Sequence, residues 1–383
     1  RYGGYMIYFD NAATSRFKPK SVRKAVVKEL KNSANPGRGA HRDAIRASML
    51  VENARAYLLS ALGADDDYEL VFTKNCTEAL NLAIFGTVIP KTHVVTTALE
   101  HNSVLRPLFK LKDENVISLS VLNPDRFGKI NPAHFERMLG NDTRLAVVTA
   151  QSNVTGMTTD LAAIGKICNL HNVTLLADGA QAVPLTKINV KEMNISMLAA
   201  PGHKGLHGPQ GTGFLIFKRD LNVRPLLLGG TGTDSDSVYM PKSPPESLEA
   251  GTLNAAGIAG LLEGAKWSFK HAEASRKHIE KLSEKIIYGL KKIPGVTLYT
   301  ADDCFTGVVS FNVKGADSTE VGDILNEKYH VAVRAGLHCA PLVHNANGTL
   351  DVGAVRVGIG VDNTEKEADK LLSAVKSIAA KFR

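Results

Sequence analysis

The chain has 383 residues, and its 44% hydrophobic and 22% charged side chains are typical of a globular protein. This length allows two or three domains and a core that needs neither disulfides nor a structural metal. Four cysteines without a Cys-x-x-Cys pair exclude a disulfide-rich scaffold and a tetrathiolate zinc module.

The charge distribution and the hydropathy pattern argue against two classes of partner, nucleic acids and membranes. The formal net charge is +8, but the basic residues are scattered and aromatic residues make up only 6%, so nucleic-acid binding is not expected. No apolar run of about 18 residues predicts a membrane span, and residues 1–5 do not contain the apolar core of a signal peptide. We therefore expect a basic enzyme in a reducing cytoplasm, with no membrane partner.

The first two thirds of the sequence alternate helical and strand patterns. Apolar residues at helical spacing predict helices over 19–31 and 43–62. Short apolar runs without alternation predict strands buried on both faces, over 70–73, 93–97, 116–122, 145–150, 173–177 and 213–217. Helical segments such as 161–170 lie between them, which predicts an α/β fold with a mostly parallel sheet between helices.

The last third has a different pattern. Residues 225–245 are rich in Gly, Pro, Ser and Asp and predict a long loop, and residues 254–292 predict two long helices. A capping box at Thr364 opens the last helix. Shorter elements are predicted between them: strands over 296–299, 308–313, 331–334 and 354–359, and a helix over 318–327. We expect an N-terminal arm and large domain over 1–260, and a small α+β domain over 261–383.

Lys204 is the first candidate for chemistry. It lies in a glycine-rich loop, 200–205, next to small residues, and a lysine amine with a lowered pKa forms Schiff bases with carbonyls. The alternative is a solvated loop lysine. The following stretch, 208–213, is glycine-rich but has no terminal Lys-Ser/Thr and leads into a strand, so a P-loop is excluded.

Four further candidate residues, at three places in the chain, follow predicted strands, where open α/β sheets bind ligands. Asp178 could pair with a ring nitrogen of a cofactor, or it could be a turn residue before glycine. Cys76 and Thr77 open a helix whose free amides suit a phosphate, with simple helix capping as the alternative. His101 could stack on a planar ring or move protons, although a loop histidine often has no such role.

The C-terminal part adds a cysteine and an arginine. Cys339 lies in a turn with Arg334 and His338 nearby, and such positive charge favours a reactive thiolate. Zinc binding by His338, Cys339 and His344 is not expected, because their spacing matches no standard site. Arg356 lies in an apolar strand, so it needs either an internal salt bridge or a ligand carboxylate.

Taken together, and in this order, these motifs resemble the pyridoxal 5'-phosphate (PLP)-dependent cysteine desulfurases of the class V aminotransferase group. The resemblance runs from residues 8–14 (Tyr-Phe-Asp-Asn-Ala-Ala-Thr) to the final helix. Its most specific motifs are residues 178–181 (Asp-Gly-Ala-Gln), 202–204 (Gly-His-Lys) and 248–254 (Leu-Glu-Ala-Gly-Thr-Leu-Asn). It implies a large PLP-binding domain of the fold type I aminotransferase kind, and a small domain carrying the catalytic cysteine loop.

The resemblance also implies roles around the cofactor. Lys204 would bond covalently to PLP, and Asp178 would pair with the pyridine nitrogen. Gln181 would contact the phenolic oxygen, while His101 would stack on the ring and take part in catalysis.

Phosphate contacts are implied for Cys76, Thr77 and His203, with Thr252 reaching the phosphate of the other subunit in a homodimer. Two positions depart from the usual pattern. Pro201 stands where many relatives have a Ser or Thr that binds phosphate, and Cys76 stands where a small hydroxyl residue is common.

On the substrate side, the resemblance implies that Asn153 and Arg356 bind the carboxylate, with Arg334 and Asn11 as further substrate contacts. Cys339 would be the nucleophile that takes the sulfur of L-cysteine as a persulfide, leaving L-alanine. No metal is implied.

Residues 334–340 resemble the short-loop branch of the family, which includes selenocysteine lyases. L-Selenocysteine therefore stays an alternative substrate, and a sulfur-acceptor protein is a further expected partner. Two other interpretations stay open: a transaminase or lyase of the same fold in which Cys339 is incidental, and a non-catalytic sulfur-delivery scaffold.

Overall fold

The computed structural model describes residues 6–37, 39–64, 66–125 and 128–382. Residues 1–5, considered above for a signal peptide, lie outside this part. The strands are β1 (Ile7–Tyr8), β2 (Tyr68–Thr73), β3 (Thr92–Thr97), β4 (Ile117–Leu122), β5 (Thr143–Thr149), β6 (Thr174–Asp178), β7 (Met197–Pro201), β8 (Gly213–Lys218), β9 (Val296–Leu298), β10 (Val308–Val313), β11 (Val331–Ala332), β12 (Arg334–Gly336) and β13 (Ala354–Gly358). The helices are α1 (Lys20–Lys31), α2 (Arg42–Ala61), α3 (Cys76–Thr87), α4 (Asn102–Asp113), α5 (Pro132–Arg137), α6 (Leu161–Leu170), α7 (Ala255–Lys291), α8 (Ser318–Tyr329), α9 (Pro341–Ala346) and α10 (Glu365–Lys381).

Within the described residues, seven strands form the central sheet in the order β2-β8-β7-β6-β5-β3-β4. All neighbouring strands pair in parallel except at β8, which is antiparallel to both β2 and β7. One hydrophobic core, including Leu58 and Phe214, packs on one face, and another, including Leu80 and Phe217, packs on the opposite face. Burial of both faces explains the unalternating apolar runs, and the predicted α/β fold class is confirmed.

The C-terminal elements form a second, antiparallel sheet with the order β12-β13-β10-β9 in the described chain. Helices α8, α10 and the second half of α7 enclose its own core around Phe311 and Leu371. Strand β1 pairs in parallel with β11, and Phe9 belongs to this same core. The N-terminal segment is thus joined to the C-terminal elements, and the division at residue 260 stays a prediction.

The expectation of two helices over 254–292 is wrong, because α7 is one helix of 37 residues. Its pattern changes along its length because its packing partner changes. Ile258 and Leu261 pack in the core of the central sheet, whereas Ile279 and Leu290 pack in the C-terminal core. Neither α7 nor any other described helix has an apolar stretch long enough to cross a bilayer.

Candidate active site

The carboxyl ends of the parallel strands meet at a cavity, the usual place for a ligand in an open α/β sheet. Most of the predicted site residues lie in its wall. They are Cys76, Thr77, His101, Asn153, Asp178, Gln181, His203 and Lys204. The residues therefore come from separate strand ends and loops, and the sheet brings them together.

Lys204 follows β7 in a tightly packed loop. A Cβ at Gly205 would lie 2.2 Å from the carbonyl oxygen of Val183, so only glycine allows this close approach. Among the described residues, none accepts a hydrogen bond from the Lys204 amine. Burial lowers the pKa of Lys204, although the nearby Asp178 carboxylate opposes this effect. The Lys204 amine therefore makes no hydrogen bond to a described acceptor, and burial favours its neutral, nucleophilic form.

Asp178 ends β6 with a fully buried carboxylate. Its Oδ1 accepts the Ala180 N–H at 2.9 Å and lies 3.6 Å from the Cys76 Sγ. No described residue donates to Oδ2, which leaves this oxygen for a ligand in the cavity. Burial raises the pKa of Asp178, and Lys204 partly counters that rise.

The N-terminus of α3 faces the cavity with two free amides. The Asn75 side chain caps the helix by accepting the Glu78 N–H at 2.9 Å. In the described chain, the N–H groups of Cys76 and Thr77 have no acceptor. With the positive end of the helix dipole, they form a ready anion site.

Two histidines in the cavity wall are held neutral. Burial, with added repulsion from Lys204, lowers the pKa of both His101 and His203 to about 4. His101 caps α4 through its Nδ1, which accepts the Ser103 N–H at 3.0 Å. This bond fixes the proton of the neutral ring on Nε2.

Gln181 lies beside these groups and is tied to the N-terminal arm. Its Nε2 donates to the Ala12 carbonyl at 2.9 Å, so its side-chain oxygen is the atom left for a ligand.

Cys339 is the exposed member of the four cysteines. Its carbonyl accepts the Asn102 N–H at 2.7 Å, and the Asn153 amide donates to the preceding His338 carbonyl at 2.7 Å. The His338 ring reaches the Ala354 carbonyl at 2.9 Å. Both His338 and Cys339 have positive φ, at 50° and 57°, which is uncommon for residues with side chains. The loop is therefore held in one conformation beside the cavity wall.

Arg356 is buried on β13 and forms an internal salt bridge, one of the two alternatives drawn from the sequence. Its guanidinium lies 3.1 Å from Asp10 Oδ1 and donates to the Asn153 carbonyl at 3.1 Å. The Nε atom is buried and has no partner. Arg334 lies directly across the antiparallel pair of strands, so two like charges face each other and favour a bound anion.

Asn11 and Thr252 lie outside this cavity. The Asn11 amide nitrogen donates to the Gly358 carbonyl at 3.2 Å, and its oxygen accepts the Arg16 N–H at 3.1 Å. Both amide atoms of Asn11 have protein partners, but Asn11 lines an adjoining cavity together with Lys204 and Gln181, so its role as a substrate contact stays a prediction. Thr252 is exposed on a separate surface groove. Among the described residues, no group of three or more His, Cys, Asp or Glu is suited to a metal ion.

Sequence reasoning missed several residues that shape the site. Gln151 and Thr149 line the cavity, and Asn102 holds the cysteine loop only through its main chain. Glu100, next to His101, is fully buried and accepts from Thr149 N at 2.8 Å. An acidic residue at the end of an apolar strand was the available signal for Glu100, whereas a main-chain contact such as that of Asn102 leaves none.

Comparison with known proteins identifies the family to which the chain belongs. The sequence profile described as Aminotransferase class-V matches residues 7–371. The chain therefore belongs to the class V aminotransferase family.

Similar proteins narrow this class. A probable cysteine desulfurase of Methanothermobacter thermautotrophicus is 34% identical over 97% of this chain and 94% of its own length. One of Pyrococcus abyssi is 33% identical over 99% and 95%. The apo structure of cysteine desulfurase from Thermococcus onnurineus NA1 has a TM-score of 0.91 and 32% identity, covering 98% of this chain and 95% of that one. The chain belongs to the cysteine desulfurases, within the class V aminotransferase family.

Proposed function

We propose that this enzyme binds PLP and transfers the sulfur of L-cysteine to Cys339, leaving L-alanine. One observation carries the proposal: the unbound, buried amine of Lys204 shares a cavity with Asp178, and an exposed thiol lies on a loop bonded to the wall of that cavity. An electrophile-binding amine and a separate accessible thiol are the two nucleophiles that this reaction needs.

The cavity fits the cofactor in charge and in unbound polar atoms. The free amides of Cys76 and Thr77 suit the phosphate, and the free oxygen of Asp178 suits a protonated pyridine nitrogen. Lys204 would bond to the carbonyl carbon, and the neutral ring of His101 would stack on the pyridine. Pro201 has no hydroxyl and no N–H, so it gives the phosphate no donor.

Two more side chains complete this set. His203 in the cavity wall would help to hold the phosphate, and the free oxygen of Gln181 would lie toward the phenolic group. Both remain proposals that rest on their position and on the atoms left without protein partners.

When bound, PLP supplies an electron sink that stabilises negative charge at the substrate α-carbon. Lys204, held toward its neutral form by burial, would accept the α-proton. The Cys339 thiolate would then attack the substrate sulfur, so that the carbon–sulfur bond breaks and a sulfur–sulfur bond forms. The net reaction converts L-cysteine and the Cys339 thiol into L-alanine and a Cys339 persulfide, with the thiol proton ending on the new methyl group.

The substrate carboxylate would lie between Arg356 and Arg334. The unpartnered Nε of Arg356 supplies a buried donor for it. Asn153 is expected from the sequence to bind this carboxylate, but its amide nitrogen donates to the His338 carbonyl, so its free oxygen would accept from the substrate amine instead. A carboxylate there would also relieve the repulsion between the two arginines.

We further propose a homodimer in which Thr252 reaches the phosphate of the other subunit, and transfer of the persulfide sulfur to an acceptor protein. The exposure of Cys339 supports the transfer, because an acceptor thiol must reach the terminal sulfur. We also propose a reducing cytoplasm as the location, because free thiols such as that of Cys339 persist there.

The test compares two cysteine variants. Cys339→Ser should abolish alanine formation from L-cysteine while the cofactor absorbance is retained, because a serine hydroxyl stays protonated and does not accept sulfur. Cys304→Ser is the matched control, since Cys304 Sγ makes only weak contacts at 3.7 Å with Thr155 O and Thr306 Oγ1. Mass spectrometry after a pulse of L-cysteine should find added sulfur on the Cys339 peptide. Normal alanine formation by Cys339→Ser would refute the assignment.

A further inference from the structure

The carbonyl oxygen of His203, directly before Lys204, accepts an unusual number of hydrogen bonds. Ser15 donates to it twice, from its main-chain N at 3.2 Å and from Oγ at 3.0 Å. Lys18 Nζ donates at 3.0 Å, and Thr14 Oγ1 at 3.3 Å. A carbonyl oxygen has two lone pairs, so these donors saturate it and fix the peptide that begins the Lys204 backbone.

Lys18 has no carboxylate to balance its charge among the described residues. Its amine donates to Ser15 Oγ at 2.8 Å and to the His203 carbonyl, and burial lowers its pKa to about 8. A partly buried amine without an ion pair costs free energy unless its donors are used. Here one of the Lys18 donors is used on the His203 carbonyl, in the loop that carries Lys204.

The same N-terminal segment holds the other end of the loop. The Phe17 carbonyl lies 3.2 Å from His207 Nδ1. The Phe17 ring packs 5.7 Å from the His207 ring and 5.1 Å from Trp267, the single tryptophan of the chain. Residues 14–18 thus contact the loop at positions 203 and 207, on both sides of Lys204. We call this segment the 14–18 clamp.

Building on the proposed function, we propose that Lys18 is a positioning residue, which with Ser15 holds the His203–Lys204 peptide so that the Lys204 amine lies at the reacting carbon. The cation also helps to keep His203 neutral, since Lys18 adds to the burial and the Lys204 charge that lower the His203 pKa. A displacement of about 1 Å in such a group can cost up to about a hundredfold in rate.

The experiment uses PLP-loaded enzyme and the variants Lys18→Met, Lys18→Arg and Lys24→Met. Lys24 is an exposed residue of α1 and serves as the control. Lys18→Met should lower kcat for alanine formation about tenfold and leave KM within about twofold, because binding groups are untouched. Lys18→Arg should restore most of kcat, since a guanidinium can donate to the same two oxygens.

A second readout follows the loop itself. The N–H groups of Gly202, His207 and Gly208 are hydrogen-bonded within the loop region, so they should be protected from hydrogen exchange. In Lys18→Met, exchange in the peptide 202–208 should become about tenfold faster, and Trp267 emission should shift as Phe17 moves. If Lys18→Met does not fold, Ser15→Ala should show the same changes to a smaller degree.

The proposal is overturned if Lys18→Met matches Lys24→Met in both kcat and loop exchange, or if only KM changes. Failure of the proposed function gives a different result. In that case the wild-type enzyme forms no alanine from L-cysteine, while the exchange and Trp267 measurements still decide whether Lys18 holds the loop.

Discussion

Glu100 is a buried carboxyl group whose protonation couples the site to pH. Its Oε1 accepts from Thr97 Oγ1 at 2.6 Å and from Thr149 N at 2.8 Å, while Oε2 is buried without a partner. Burial raises the pKa of Glu100 to about 8. A protonated Glu100 therefore links the ends of β3 and β5 next to His101 near neutral pH.

This protonation predicts how stability changes with pH. In the unfolded chain a glutamate ionises near pH 4.3, so between about pH 4.5 and 8 Glu100 holds in the folded state a proton that it has lost in the unfolded state. The contribution of Glu100 to the free energy of unfolding therefore falls as pH rises through this window, by up to about 1.4 kcal/mol per pKa unit, and levels off above it. His101 and His203 contribute in the opposite direction below about pH 6.5, because their lowered pKa makes the unfolded state bind more protons there.

Glu100→Gln should remove the contribution of Glu100, because the amide keeps the acceptor and cannot ionise. We expect the variant to be more stable than wild type at pH 8.5, by one to a few kcal/mol, and to differ little at pH 5. Urea unfolding at several pH values measures the difference. The exposed variant Glu327→Gln is the control, and an equal pH slope in both variants would contradict the prediction.

Site residues could be predicted from the sequence where a polar or charged side chain stands among residues that do not usually surround it. Lys204 among glycines and Asp178 at the end of an apolar strand stand out in the sequence alone, and the cavity contains both. Lys18 and Asn102 do not, because their roles depend on contacts with His203 and Cys339, which lie about two hundred residues away in the chain. Such pairings are set by the fold and leave no local pattern.

At the scale of elements, the position of the cysteine loop depends on a close crossing of two glycines. A Cβ on Gly353 would lie 2.7 Å from the backbone of Gly336, the last residue of β12 before the Cys339 turn. Gly348 has a nearly identical φ, 64° against 62°, but a Cβ there would meet nothing within 4 Å. Alanine at Gly348 therefore adds only the strain of the backbone conformation, whereas alanine at Gly353 adds the same strain and a steric clash.

Gly348→Ala should lower the free energy of unfolding by about 1 to 2 kcal/mol, the usual cost of a left-handed residue with a Cβ. Gly353→Ala should cost about 1 to 3 kcal/mol more and should also slow alanine formation, because β12 must move and the Cys339 turn moves with it. Urea unfolding and alanine assays on both variants test this. Equal losses of stability and activity would show that the crossing does not hold the loop.

Helix α7 shows where element prediction from sequence stops. The sequence predicts helix throughout this region but divides it into two helices, where the structure has one. No proline interrupts the helix, and the pattern changes because one half packs on the central sheet and the other on the C-terminal core. Hydrophobic periodicity indicates which face of a helix is buried, but it does not indicate which part of the protein that face packs against.

At the scale of the whole molecule, the alternation of strands and helices predicted the layered α/β fold. The order of strands and the pairing of β1 with β11 depend on long-range packing that a single sequence does not display. A single sequence likewise does not display how two subunits pack against each other.

Two features of the Thr252 surface favour a second copy of the chain. A buried ion pair of Arg55 and Glu249, at 3.1 Å, holds the segment that presents the exposed Thr252. Ile45 and Met49, which line the same groove, are 49% and 61% exposed. Apolar side chains on a firmly held surface are typical of a protein interface.

Subunit mixing tests whether each active site is shared across this interface. Lys204→Ala should be inactive, and Thr252→Asp should be impaired, because it sets a carboxylate where the phosphate of the other subunit is expected. A mixed dimer would regain one intact site, with Lys204 from one protomer and Thr252 from its partner. After random reassortment of equal amounts, alanine formation should rise to roughly a quarter of the wild-type rate, since half of the dimers are mixed and each has one of two sites. Light scattering should show a dimer for both variants. A fully active monomer, or mixed dimers without recovered activity, would contradict a shared site.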